Sequence, residues 1–126
     1  MSEARHALAL DPASARAARA FVADVLATSP AKECTDIACL LVSELVTNAL
    51  LHARSPVQLL VRVEDATVRV EVGDDAERLP VRMVEPGDAI AGRGLHIVEE
   101  LAARWGAERR PSGGKAVWFE LSYGGG

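Results

Sequence analysis

The sequence predicts an α+β fold: a mainly antiparallel, mixed sheet covered on one face by about three helices. Three observations carry that expectation. Two segments with helical apolar spacing open the chain, two consecutive alternating runs follow, and a third helical segment leads into a second pair of strands. Alternation of period two with one apolar side is the mark of a half-buried antiparallel hairpin, and the helices must bury their own stripes against that side.

Taken in order, residues 1–10 form an N-terminal strand or arm. Asp11-Pro12 reads as an N-cap followed by proline at the first helical position, opening a helix over 13–28 with Phe21, Val22, Val25 and Leu26 at helical spacing. Ser29-Pro30 repeats the punctuation and starts a second helix that runs to about Ala53 and stops before Pro56. Val57, Leu59, Val61 and Val63 then face one way, with Gln58, Arg62 and Glu64 among the residues opposite. Beyond a turn at Asp65-Ala66, Val68, Val70 and Val72 continue the alternation against Thr67, Arg69 and Glu71. From Gly73 to Gly94 periodicity vanishes, with Pro80, Pro86, Gly87 and Gly92 inside the stretch. A connection of that length in a compact domain marks a functional loop. A third helix carries Leu95, Val98, Leu101 and Trp105 on one stripe. A strand at Arg104 to Arg110, a Pro-Ser-Gly-Gly turn and a strand from Ala116 to Ser122 complete the fold, with 124–126 as a frayed tail. Residues 1–126 make one domain.

Composition narrows the function classes. With 126 residues, 49% of them hydrophobic and 25% charged, the chain has enough apolar surface for a core of its own. The formal charge of -4 argues against direct nucleic-acid binding, which rests on excess Lys and Arg, and 4% aromatics offers few stacking platforms for single strands. No apolar run approaches a membrane span, and Met1 to Leu10 has no signal-peptide layout, so the expected location is the cytoplasm without membrane attachment. Cys34 and Cys39 are too few for a disulfide framework or a Cys-rich zinc site and read as small core residues. His6, His52 and His96 share no metal spacing, and His52 reads as packing near Asn48.

Chemistry concentrates in Ser43-Glu44-Leu45-Val46-Thr47-Asn48-Ala49. Glu44 and Asn48 lie one helical turn apart on the stripe of Ile37 and Leu41, with Leu51 beside it. A carboxylate and an amide on an apolar face call for a ligand, a metal or a specific partner, or else form a mutually satisfied core pair. Gly92-Arg93-Gly94 stands directly before the third helix, where unpaired N–H groups and the helix dipole favour an anion. Neither familiar phosphate motif fits. Arg93 and Gly94 replace the Lys and Ser/Thr of a Walker loop, and Ile97 replaces the third glycine of a dinucleotide-binding fingerprint. Asp74-Asp75 ends the second alternating run, either as a solvated turn or as an acceptor for a base or sugar.

Together, Glu44-x-x-x-Asn48 on a helix, Asp74 at a strand end, a long loop and Gly92-Arg93-Gly94-Leu95 opening a helix resemble the GHKL ATPase superfamily. The segment Ser43 to Ala49, followed by His52-Ala53, is most similar to the N-box of stand-alone anti-sigma serine/threonine kinases, and the likeness spans roughly Phe21 to Leu121. The resemblance implies the Bergerat two-layer sandwich, with ATP and Mg²⁺ as cofactors and the long loop as a lid. It implies Asn48 as the magnesium ligand and Glu44 as general base toward a protein hydroxyl. It also implies Asp74 as acceptor for the adenine amino group, and Gly92, Arg93, Gly94 and Leu95 as the phosphate-binding turn. The partners it implies are a sigma factor and an antagonist protein, with a homodimer as the assembly. Two departures stand out. Ala76 and Arg78 replace the glycines that follow the Asp in the first glycine box, and Ala116, with Lys115 beside it, takes the place of a Thr near the adenine. Retained Glu44 favours a kinase; the lost glycines favour a second reading, a non-catalytic module that sequesters its partner. A plain structural domain would leave Glu44 and Asn48 unexplained.

Overall fold

A computed structural model of the chain describes residues 2–9, 11–52, 56–74, 92–109 and 114–124, with side chains left aside at 50–52 and 92–96. The elements are β1 (Ser2–Leu8), α1 (Ser14–Ala27), a 3₁₀ turn (Lys32–Cys34), α2 (Thr35–His52), β2 (Val57–Val63), β3 (Thr67–Asp74), α3 (Gly92–Leu101), β4 (Arg104–Arg109) and β5 (Lys115–Ser122). The five strands form one sheet in the order β1-β2-β3-β5-β4. Every pairing is antiparallel, so the mixed sheet expected from the sequence is a purely antiparallel one among the described residues. The N-terminal arm is a strand: β1 runs alongside β2 with Leu8 opposite Val57.

Alternation along the strands sorts the two faces. Val57, Leu59, Val61 and Val63 of β2, Val68, Val70 and Val72 of β3, and Val117, Phe119 and Leu121 of β5 are buried in one core. The register lines them up in rows, with Val61 opposite Val70 and Val70 opposite Phe119. Above them α1 buries Ala18, Val22 and Leu26, and α2 buries Ala38, Leu41, Val42, Leu45, Val46 and Ala49. These positions recur every three or four residues, which puts them on one side of each helix. Each fully buried Val or Leu contributes about 1.5–3 kcal/mol relative to exposure, so the aliphatic rows hold the layers together. His6, on the core-facing side of β1, stacks on Phe21 of α1 with ring centroids 4.9 Å apart.

Several boundaries differ from expectation. Helix α1 starts at Ser14, because Asp11 spends its carboxylate earlier: its Oδ1 accepts from the Ala13 N–H at 2.7 Å and its carbonyl accepts from Ser14. Asp11-Pro12 therefore makes a turn ahead of the helix rather than its cap. After Ser29-Pro30 the chain makes a 3₁₀ turn before α2 begins at Thr35. Trp105 lies in β4, not on the α3 stripe, since α3 ends at Leu101. Ile37 and Leu101 sit on predicted apolar stripes yet are exposed, while Leu41 and Val98 are fully buried. The expected long loop is shortened at its start, because Gly73 and Asp74 belong to β3. Residues 75–91, the expected lid, and the Pro111–Gly113 part of the last turn lie outside the described residues.

The connections set which end of the sandwich each helix terminus occupies. The start of α2 lies beside the end of β5, where the Cys34 thiol meets the Ser122 carbonyl. Eighteen residues of helix and eight of strand each extend about 27 Å, so α2 traverses the sheet to the opposite end. There its C-terminus is separated by three residues from Pro56 and Val57, and Val57 is the register partner of Asp74. Helix α3 packs against α2. It ends with Leu101 beside Cys34, Ile37 and Ser122, which directs its first turn toward the end where Val57 and Asp74 lie.

Candidate nucleotide site

Three of the sequence candidates thus arrive at one end of the sandwich: the second half of α2 with Glu44 and Asn48, the end of β3 with Asp74, and the first turn of α3 with Gly92, Arg93, Gly94 and Leu95. The glycines fall within the first helical turn rather than in a preceding loop. Four N–H groups at such a start have no partner within the helix, which is the electrostatic basis for holding phosphate oxygens. The side chains of Arg93, Leu95, His52 and His96 lie outside the described set, as do Ala76 and Arg78 entirely.

Asn48 is buried, at 6% exposure, and its Nδ2 has no hydrogen-bond partner among the described residues. Leaving a buried amide donor unpaired costs about 1–3 kcal/mol, so the position is one a folded chain keeps for something else. Glu44, one turn earlier, is half-buried, which corrects the expectation of a carboxylate in the middle of an apolar face. It stands at the margin of the packed stripe, where a carboxylate stays hydrated yet close to Asn48. Its neighbour Ser43 is tied to the first helix: Arg19 Nη1 donates to Ser43 Oγ at 2.9 Å, fixing α1 against this part of α2.

Asp74 and Lys115 form the second feature. They are register partners on β3 and β5, on the helix-facing side of the sheet, just beyond the last apolar row of Val72 and Val117. Both are buried, Asp74 at 4% exposure and Lys115 at 2%, and Lys115 Nζ stands 3.8 Å from Asp74 Oδ2. At that separation the contact is ionic without being a hydrogen bond. Burial pushes the Lys115 ammonium below its ordinary value, and the Asp74 carboxylate pushes it partly back up. Strand alternation places Asp74 on the inner face; that a lysine faces it required the register between strands far apart in sequence.

A family profile described as the histidine kinase-like ATPase domain matches residues 8–121. The chain belongs to this family. No curated protein matches it. Membership agrees with the α+β sandwich of five antiparallel strands and three helices, and the family is one of ATP-binding domains.

The residues of this ATPase domain fit a magnesium ion carried in with a nucleotide. Mg²⁺ keeps several waters and takes one or two protein ligands together with phosphate oxygens, so one side chain suffices. A half-turn of the Asn48 amide presents its oxygen where the unpartnered Nδ2 stands, and the two assignments differ only in that turn. Among the described residues no group of three His, Cys, Asp or Glu could hold a metal by itself. None of the described helices is long and apolar enough to cross a membrane. Sequence reasoning passed over Arg19, whose bond to Ser43 has no local signal, and treated Lys115 only as a departure from the family pattern.

Proposed function

We propose that this ATPase domain is an ATP- and Mg²⁺-dependent serine/threonine kinase of the anti-sigma type, acting in the cytoplasm on an antagonist protein and sequestering a sigma factor, with a homodimer as its assembly. The observation that carries the reading is Asn48: a buried amide without a partner among the described residues, one turn from a half-buried carboxylate, at the end of the fold where a helix start is also directed. In this reading Asn48 orients the metal-bound phosphates, the first turn of α3 from Gly92 to Leu95 holds phosphate oxygens through its N–H groups, and Asp74 accepts from the adenine amino group. Magnesium supplies neutralisation of the phosphate charge that builds up in transfer. Glu44 removes the proton from the acceptor hydroxyl as that oxygen bonds to the γ-phosphorus and the bond to the β–γ bridging oxygen breaks, releasing ADP. A second reading, a non-catalytic module that sequesters its partner, is favoured by the first glycine box, where Ala76 and Arg78 stand in place of glycines.

Glu44→Gln separates the two. It keeps the size of the side chain and cannot accept a proton. Calorimetry should show Mg-ATP binding within a few-fold of wild type, while transfer from radiolabelled ATP to antagonist proteins of the same genome falls by about 10²–10⁴. Transfer at the wild-type rate removes Glu44 from the mechanism. Tight ATP binding by the wild type with no transfer to any of those antagonists leaves the partner-binding module in its place.

A further inference from the structure

The chain contains twelve arginines and two lysines, and it buries one of the two lysines almost completely against an aspartate. Such a pair is a poor device for stability. Desolvating two charges costs several kcal/mol each, and well-packed apolar residues serve as well or better. Every neighbouring core-facing position on these strands is apolar: Val70 and Val72 on β3, Val117 and Phe119 on β5. Asp74 and Lys115 are where that pattern stops, at the end of the sandwich that also holds Asn48. Their 3.8 Å separation keeps carboxylate and ammonium side by side without collapsing them into a direct hydrogen bond. Lysine brings a compact, rotatable donor to such a place, which the broad guanidinium of arginine would not.

We propose that Lys115 is a specificity-determining residue that reads the base of the bound nucleotide. Resting on the nucleotide-site reading above, Asp74 and Lys115 form an acceptor–donor pair for the adjacent donor and acceptor on the Watson–Crick edge of adenine. Asp74 accepts from the 6-amino group and Lys115 donates to N1. The pair is preorganised by the register that sets the two residues opposite each other, so neither side chain has to be gathered when the base arrives. A site built from hydrogen-bonding groups discriminates against a base that lacks the matching atom, because the hydrogen bond to that atom is then not made. Guanine reverses the order of donor and acceptor at these two positions, and the fixed order of Asp74 and Lys115 selects against it.

The test compares ATP, GTP and 1-deaza-ATP, in which N1 is replaced by C–H, by calorimetry on the wild-type chain and on Lys115→Met. The wild type should bind ATP about 10–100-fold more tightly than 1-deaza-ATP, the worth of one hydrogen bond from a charged donor. Lys115→Met should bind the two equally, each more weakly than the wild type binds ATP. The proposal is overturned by a wild type indifferent to the loss of N1, by a variant that keeps the full preference, by tighter ATP binding in the variant, or by preference for GTP. The wild-type comparison of analogues decides the matter even where Lys115→Met does not fold. A wild type that binds none of the three overturns the nucleotide-site reading itself. One that binds ATP and 1-deaza-ATP alike overturns the base-reading role alone.

Discussion

Strands β3 and β5 carry a cluster of charges on each face, and the two are built differently. On the open face Arg69 donates through Nε to Glu71 at 2.7 Å and through Nη1 to Glu120 at 3.1 Å, and its guanidinium lies 4.0 Å above the Trp118 ring. Arg104 adds a second contact to Glu120 at 3.5 Å. Burial pulls the Arg69 guanidinium down, but hydrogen bonds and charge from Glu71 and Glu120 outweigh it and hold the group above its ordinary value. On the helix-facing side, Asp74 and Lys115 are more deeply buried and further apart. A planar fork that engages two carboxylates at the edge of solvent splints adjacent strands. A compact buried pair without a direct hydrogen bond adds little to the sheet it sits on. The same two strands therefore carry reinforcement on one side and, on the other, the pair we propose as a base reader.

The contrast can be broken by taking one partner from each cluster. The largest effect belongs to Asp74→Ala, which leaves the Lys115 ammonium buried and opposed by nothing from its register partner: a loss of about 3–5 kcal/mol in urea unfolding. Replacing both groups, as Asp74→Asn with Lys115→Met, should return most of that stability. A double variant as unstable as the single one would mean that the pair itself supports the fold. Next comes Arg69→Ala, which removes the splint but leaves Glu71 and Glu120 within reach of water, at a cost of about 1–3 kcal/mol that shrinks as salt is raised. Nucleotide affinity should not follow it, and a parallel loss of affinity would tie the open face to the site. The smallest effect belongs to Gly106→Ala. A Cβ there would stand 2.9 Å from Cζ2 of Trp118, a ring pinned beneath Arg69, so β4 must shift at a cost of about 1–2 kcal/mol. Thermal unfolding of this variant in the Arg69→Ala background sharpens the point, because an unpinned ring can move aside and the cost should fall.

Much of this arrangement was legible because it depends on short-range periodicity. The inner rows of β2 and β3 follow from period-two alternation, and Asn48 was conspicuous as an amide among apolar residues at helical spacing. Where periodicity misled, the cause lay at element ends. Ile37 and Leu101 hold the right phase, but each stands near a helix terminus where no layer covers it. Asp11 carried a capping signal and used it in a turn before the helix. The facing of Lys115 and Asp74 was hidden for a different reason. It is a tertiary register between strands separated by a helix and another strand, and nothing near either residue in the chain encodes it.

That register also bounds the chain between the two strands. Asp74 is the last residue of β3 and Lys115 the first of β5, so the chain leaves the β3–β5 ladder at one and rejoins it at the other, after α3 and the edge strand β4. The two residues are the mouth of a closed excursion of about forty residues, and each doubling of such a loop costs only about 0.6 kcal/mol. Insertions or deletions between the end of β3 and the start of α3 leave the β3–β5 ladder intact. The cost of such a change falls on closing the excursion, and Asp74 stays opposite Lys115.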